Sequence, residues 1–519
     1  MTMDPVAIAV FLTLFVFVTL LGFGAARWRR GDLNQLHEWG LGGRRFGTIV
    51  TWFLLGGDLY TAYTFIAVPA LMFGVGAMGF FAVPYTILVY PIMFLVFPRL
   101  WSVAHAKGYV TAADFVRGRF GSHTLALVVA VTGIVATMPY IALQLVGVEV
   151  VIAALGIPMS LNIPGLGHIP DAPLFVAFVV LAAYTYSSGL RAPAMIAVVK
   201  DALLYITVLA AVIVIPAELG GYAKIFASID PKTLLLPPAQ PGNIGPQSAY
   251  ATLGLGSALA LLLYPHSVTG LLSSSNRRAI KRNAVILPAY SFALGLIALL
   301  GFMAVAAGVK TLPQFASGFA AFGNNFAVPA LFLKMFPAWF VGVAFAAIAI
   351  GALVPAAIMS IACANLFTRN IYKEYISPNA SVERECQVAK IVSLVVKLGA
   401  LFFIIELPTQ YAIQLQLLGG IWIIQTLPSV ILGLYTRRLH PGALLIGWAC
   451  GIGAGTWMAA QSSFKTSTYV LHILGTAVPC YAALSSLVIN IAIAAILSLV
   501  FNALQKTPAP DATLADDYA

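Results

Sequence analysis

The chain has 519 residues, of which 61% belong to the apolar set AVILMFWYC and only 9% are charged, with a formal net charge of +11. A soluble domain is nearer half apolar and a quarter charged. This composition therefore excludes a water-soluble enzyme, a nucleic-acid binder and a disordered scaffold. The four cysteines (Cys363, Cys386, Cys450, Cys480) show no CxxC spacing, so neither a disulfide framework nor a zinc site is suggested. The composition is that of a polytopic membrane protein.

A spanning helix needs about 20 mostly apolar residues. Thirteen such runs lie between Lys/Arg-bearing breaks: 5–26, 47–74, 77–100, 122–156, 173–188, 193–217, 248–275, 281–308, 338–370, 388–405, 409–434, 441–461 and 477–504. They are continuous rather than alternating, which argues against strands. The first is not a cleaved signal, because Asp4 precedes it and Arg27, Arg29 and Arg30 follow it. Those arginines orient it with the N-terminus outside. Alternating from there puts 22 of the 28 Lys and Arg on the cytoplasmic side, together with the C-terminus. Lys224, Lys232, Lys310, Lys334 and Lys465 fall outside, and Lys397 lies within a span. The positive balance is thus a topology signal, and no nucleic-acid partner is needed.

The spans group into 1–46 (first helix and cytoplasmic loop), 47–217 (five helices), 248–434 (five helices), 441–504 (two helices) and a tail, 505–519. In each five-helix group the third member runs over thirty residues, which implies strong tilt. The first member of each is interrupted: Gly56-Gly57-Asp58 and Pro69 in one, Gly254, Gly256 and Pro265-His266 in the other. A unit with an odd number of spans inserts its copy upside down. Corresponding interrupted helices in two inverted halves point to a transport site near the midplane.

Asp58 is the sharpest single residue. A carboxylate this deep costs several kcal/mol unless paired, hydrated or protonated. It is a functional candidate, or a cap for backbone groups freed by the break. Tyr60, Thr61, Tyr63 and Thr64 spread hydroxyls over more than one face, as a cavity wall would. Tyr140 and Gln144 share a face one turn apart, although interhelical hydrogen bonding explains Gln144 equally well. His266, beside a proline within a span, is a site candidate or a satisfied structural group. Gln414, Gln416, Trp422 and Gln425 precede Pro428, with Gln414 and Gln425 on one helix face. Lys200 and Asp201 could form a cytoplasmic-side ion pair, and Glu149 and Glu406 near outer ends are expected to be wet. No phosphate loop, HExxH or Ser-His-Asp grouping supports an enzyme, and no TVGYG filter supports a channel. No cofactor and no obligate protein partner are expected.

Taken in order, several stretches resemble the sodium:solute symporter family. Glu38-Trp39-Gly40-Leu41-Gly42-Gly43-Arg44 is similar to its cytoplasmic GGR motif, and Gly57-Asp58-Leu59 falls where its proline symporters carry an essential aspartate. Tyr264-Pro265-His266 resembles QPH. Thr368-Arg369-Asn370-Ile371-Tyr372-Lys373 resembles T-x-D-[IL]-Y-K, with Asn370 replacing the aspartate. Asp201 falls near the aspartate of the W-T-D motif, with Val199 and Lys200 in place of Trp and Thr. Residues 57–64 look most like the monocarboxylate-permease branch.

The resemblance implies an all-α, five-plus-five inverted-repeat fold in a bacterial inner membrane, with one extra N-terminal and two C-terminal helices. It implies a symporter importing small monocarboxylates such as lactate, pyruvate or alanine, with substrate near Asp58, Tyr60, Tyr63, Tyr140, Gln144, His266 and Gln414. The coupling ion is H+ or Na+. In sodium-coupled members the ion sits between carbonyls of the first core helix, here near Gly56, Asp58 and Leu59, and two hydroxyls of the eighth. Counting back from Thr368 puts that hydroxyl pair at Val354 and Pro355, which offer no side-chain oxygen. A six-residue shift brings in Ser360, but with Ile361 beside it. A proton-coupled carrier is therefore expected. The alternatives are a sodium-coupled symporter of another small solute, a membrane-embedded enzyme and a transporter-like sensor.

Overall fold

The computed structural model describes residues 3–28, 31–163, 167–169, 171–406, 412–504 and 510–518. Arg29, Arg30 and Lys506 of the charge count lie outside these, as does the side chain of Glu406. In an apolar medium a backbone can satisfy its own polar groups only as helix or closed barrel, and this chain is almost wholly helical.

Helix α1 (Pro5–Gly24) opens on Asp4, whose carboxylate accepts from the N–H groups of Val6 and Ala7. A short helix, α2 (Leu36–Leu41), precedes α3 (Thr48–Gly57) and α4 (Val68–Val75), two halves of one interrupted element. Then come α5 (Ala82–Lys107), α6 (Ala112–Phe120) and the 32-residue α7 (His123–Ala154). A small ribbon of β1 (Leu161–Ile163) and β2 (Gly167–Ile169) leads to α8 (Ala172–Ser188) and α9 (Arg191–Leu219). Short helices α10 (Tyr222–Ala227) and α11 (Pro231–Leu234) precede the second interrupted element, α12 (Pro246–Leu263) and α13 (Pro265–Leu272). The stretch α14 (Arg277–Ile286), α15 (Pro288–Ala298) and α16 (Leu300–Ala306) is followed by α17 (Ala316–Phe322) and α18 (Ala327–Met335). The 30-residue α19 (Ala338–Phe367) continues as a π-helical turn to Ile376. Last are α20 (Val382–Glu406), α21 (Ala412–Ile423), α22 (Leu427–Val430), α23 (Pro441–Ala460) and α24 (Ala482–Leu504). An antiparallel hairpin, β3 (Thr468–Ile473) with β4 (Thr476–Tyr481), joins the final two.

Among the described residues ten helices are long and apolar enough to cross a membrane, or eleven with the bent pair α12–α13. One of the ten, Pro313–Met335, was not among the thirteen runs read from sequence; Thr48–Gly57 and Ala172–Ser188 are shorter than a span. Helix α19 is the axis of the bundle, with 94% of its most apolar window buried, against 22% in α1 and 28% in α24. Small residues account for this: its central segment Ala344–Ala349 and Gly351 lets neighbouring helices approach closely.

The first interruption falls at residues 58–62, where expected, and is followed by a π-helical turn at Tyr63–Ala67. The second differs in detail. Helix α12 runs unbroken through Gly254 and Gly256, and the chain turns by 53° at Tyr264. A residue before proline is pushed out of the helical region, and Tyr264 is extended, with ψ at 135°. Gly256 serves packing instead, since a Cβ there would lie 2.6 Å from the Tyr481 ring. Glu149 also departs from expectation: it is half-buried, and its Oε2 is enclosed without a partner.

The Lys/Arg-bearing connections meet at one end of the bundle. Arg44 donates to the carbonyl of Ala104 (3.1 Å), Arg117 pairs with Glu374, and Arg369 pairs with Glu385 (3.0 Å). Asn370 donates to Asp114 (2.8 Å) and accepts from Thr111 (2.8 Å), bonds that an aspartate at 370 could not both make. The tail returns to this end, where Arg119 pairs with Asp511 (2.9 Å) and Lys107 with Asp517 (3.2 Å).

Glu38 is buried between Arg191 at the start of α9, itself wholly enclosed, and half-exposed Arg45 (2.6 Å). Removing one partner of a buried pair strands the other charge, at about 3–5 kcal/mol, whereas an exposed partner is worth under about 1 kcal/mol. Arg191→Ala should therefore lower the thermal unfolding midpoint in detergent far more than Arg45→Ala. Equal midpoints would show that Arg191 does not anchor the loop.

Candidate functional site

Both interruptions leave polar backbone and side-chain groups in the middle of apolar helices, and the fold brings the two together. Helix α3 ends at Gly57, and Asp58 follows in the turn, 6% exposed. His266 is the second residue of α13 and is 1% exposed. His266 Nε2 lies 3.4 Å from Asp58 Oδ2, although the geometry is not that of a hydrogen bond. Asp58 Oδ1, both ring nitrogens of His266 and the Tyr63 hydroxyl are enclosed without hydrogen-bond partners. Tyr140 and Tyr264 pack on the His266 ring, with centroids at 5.4 and 5.2 Å, and Tyr63 packs on Tyr85.

The hydroxyls around the first break are largely used locally. Thr64 Oγ1 accepts from the Thr61 N–H (2.9 Å) and donates to the Thr61 carbonyl (2.8 Å). Thr61 Oγ1 accepts from the Tyr63 N–H (3.0 Å). Gln144 reaches across from α7, and its Oε1 accepts from the Ala62 N–H (3.1 Å). Tyr60 points to the other side of the break, where its hydroxyl donates to the Tyr290 carbonyl (3.1 Å) and its ring packs on Tyr205 and Tyr290. Gln414 lies apart, accepting from the backbone and hydroxyl of Ser467 before the β3–β4 hairpin.

Two further buried residues hold unpartnered polar atoms, and one of them, Gln416, adjoins Tyr264 at the second break. Gln416 of α21 is buried, and neither side-chain polar atom has a partner, while its carbonyl accepts from the Tyr264 hydroxyl (3.0 Å). Ser257 of α12 has an enclosed, unpartnered hydroxyl. Gln416 was visible as one of several glutamines near Pro428, but only the fold distinguishes it from Gln414. A small cavity bordered by Asp58, Leu59, Tyr90, Met93 and Ser267 adjoins the break.

The expected cation position is likewise defined. The Gly56 carbonyl accepts from the N–H groups of Leu59 (2.9 Å) and Tyr60 (3.1 Å). A Cβ on Gly351 of α19 would lie 3.7 Å from the Tyr60 carbonyl oxygen. Val354 and Pro355, three and four residues on, share that face, so apolar side chains line the break on this side. Ser360 is nine residues from Gly351, half a turn out of phase at about 100° per residue. It faces α20 instead, accepting from Ser393 (3.2 Å), which in turn accepts from Lys397 (3.0 Å).

A family model for the sodium:solute symporters matches residues 39–451. The chain belongs to the sodium:solute symporter family. Among its relatives, a monocarboxylate transport permease of Rhizobium johnstonii is 53% identical over 97% of this chain and 98% of that protein. An uncharacterized symporter of Bacillus subtilis, YodF, is 31% identical over 95% and 93% respectively. A solved Na+-coupled sialic acid symporter, in a substrate-bound outward-open state, has the same fold: TM-score 0.74, 98% of this chain and 99% of that one covered, at 17% identity. As a member of the sodium:solute symporter family the protein is a multi-pass membrane symporter of small solutes.

Gln144 tests how the first break is held. Gln144→Leu leaves the buried Ala62 N–H unpaired, a loss of about 1–3 kcal/mol, whereas Gln144→Glu keeps an acceptor. The Leu variant should unfold at a lower temperature in detergent than the Glu variant, and the reverse order would remove this bond from the account.

Proposed function

We propose that the protein imports small monocarboxylates, such as lactate, pyruvate or alanine, by alternating access and in symport with protons. In this reading thirteen helices cross the bacterial cell membrane as one N-terminal helix, two inverted repeats (47–217 and 248–434) and two C-terminal helices (441–504). The N-terminus is outside and the tail cytoplasmic.

One observation carries the substrate reading: the two breaks meet, and Asp58, Tyr63 and His266, with Gln416 beside Tyr264, hold enclosed polar atoms with no partner. Each such group costs about 1–3 kcal/mol, so a cluster of them argues for a ligand that supplies the missing bonds. Helix α13 adds its N-terminus, with Pro265 at the first position and the N–H groups of His266 and Ser267 behind it. A helix N-terminus favours a carboxylate without needing an arginine. The compact polar set among tyrosine rings suits a two- to four-carbon acid, and the name of the 53% identical relative agrees. Proton coupling is supported by the apolar Val354 and Pro355, one turn along α19 from Gly351 at the Tyr60 carbonyl, with Asp58 as the carboxylate that cycles. The fold shared with a Na+-coupled symporter favours a second reading, sodium-driven uptake of another small solute.

Proteoliposomes discriminate these readings. Labelled lactate, pyruvate, propionate and alanine should accumulate under an imposed pH gradient without sodium, and glucose and proline should not. Accumulation driven by sodium alone at equal pH would favour the second reading. Asp58→Asn keeps an acceptor but cannot carry charge, so it should abolish concentrative uptake in a protein that still folds. Near-wild-type accumulation by that variant would remove Asp58 from the mechanism.

A further inference from the structure

The carbonyl groups on the far side of the first break are not empty-handed. Lys200, about two and a half turns into α9, is wholly buried, and its Nζ donates to the carbonyls of Gly57 and of Tyr60 (3.0 Å). The same Nζ lies 3.1 Å from Asp201 Oδ1, also wholly buried. Asp201 Oδ2 accepts from the Tyr290 hydroxyl (2.7 Å), and the Tyr290 carbonyl accepts from Tyr60. The ammonium group thus donates to two carbonyl oxygens, and the Asp201 carboxylate lies beside it as an ion pair without hydrogen-bond geometry. Oxygen ligands of this kind, converging on one positive charge, are what a bound alkali-metal ion would require. Gly57 is fitted to this arrangement, because a Cβ there would lie 2.9 Å from Lys200 Nζ. Gly56 is fitted to it on the other side, because a Cβ there would run into the Tyr290 ring.

We infer that the Lys200 ammonium is the cation of the first helix break, a charge tethered to α9 on the Gly57 and Tyr60 carbonyls, each one residue from the Gly56 and Leu59 positions expected for a coupling metal ion. It excludes sodium from these carbonyls by occupying them. The side chains of α19 fit this assignment: Gly351, Val354 and Pro355 bring no oxygen to complete a metal's shell, and a lysine bonded to two carbonyls beside a carboxylate needs none. A metal entering beside Lys200 would place two positive charges on the same carbonyls, where the Asp201 carboxylate and, at longer range, that of Asp58 already face the ammonium group. The inference deepens the proton-coupled reading above and rests on it for its place in transport, but the occupancy itself is a statement about binding.

Purified protein in detergent, held at constant ionic strength with choline, tests the occupancy directly. Replacing choline by sodium should leave the thermal midpoint of the wild type unchanged, and a sodium-dependent rise would overturn the proposal whether or not any variant folds. Lys200→Ala opens a hole facing the Gly57 and Tyr60 carbonyls and the Asp201 carboxylate. Its uptake of labelled lactate should fall at least tenfold, and methylammonium, a free copy of the lost head group, should restore it while leaving the wild type unaffected. Unimpaired uptake by Lys200→Ala without amine would overturn the proposal, as would failure of methylammonium to raise its thermal midpoint. Wild-type uptake in the same vesicles separates the two readings. If no acid is accumulated, the substrate reading fails while the thermal measurement still decides the occupancy. If acids are accumulated but sodium stabilises the protein, only the Lys200 assignment fails.

Discussion

A helix broken inside an apolar bundle exposes N–H and C=O groups that neither lipid nor neighbouring apolar side chains can satisfy. The interior of this protein is organised around the break at residues 58–62. Its freed N–H groups are met by Gln144 from α7 and by the hydroxyls of Thr61 and Thr64, and its freed carbonyls by Lys200 from α9. Two helices, α7 and α9, are thereby tied to one irregular turn by directional bonds rather than by packing alone. On the side facing α13, Asp58 and His266 come together with atoms still unpaired. The division is physical: one side of the break is closed by the protein's own groups, and the other is left open for something else.

Much of this was legible in the sequence because membrane helices announce themselves by composition. Long apolar runs, excess charge on alternate connections and the Gly56-Gly57-Asp58 interruption needed no structure to be seen. The second break was legible only in part. Glycine weakens a helix in water, but Gly254 and Gly256 sit in a membrane bundle where neighbours enforce the helix, and Pro265 alone turns the chain. The Pro313–Met335 segment was missed for the opposite reason: with Lys310 and Lys334 at its ends and Asn324 and Asn325 inside, it reads as a connection.

Side-chain roles were less legible, since period alone cannot say which of two neighbouring polar groups faces inward. Gln414 and Gln416 are two residues apart on α21, and the fold gives the first to Ser467 and leaves the second unpartnered near Tyr264. Tyr60 and Tyr63 divide the same way across the break. Lys200 and Asp201 could be read as an ion pair, which they are, but not as groups reaching Gly57 and Tyr60. Those contacts join residues 143 and 140 positions apart and depend on the angle at which α9 crosses α3.

The tether between Lys200 and its helix has a consequence of its own. A freely diffusing ion occupies a site only in proportion to its concentration, so a fold that depends on one is sensitive to the salinity around the cell. A head group carried on a four-carbon stem is present once per molecule at every dilution. The irregular turn beside Asp58 is thus held by a cation covalently attached to the chain, and its occupancy does not follow the salt concentration on either side of the membrane.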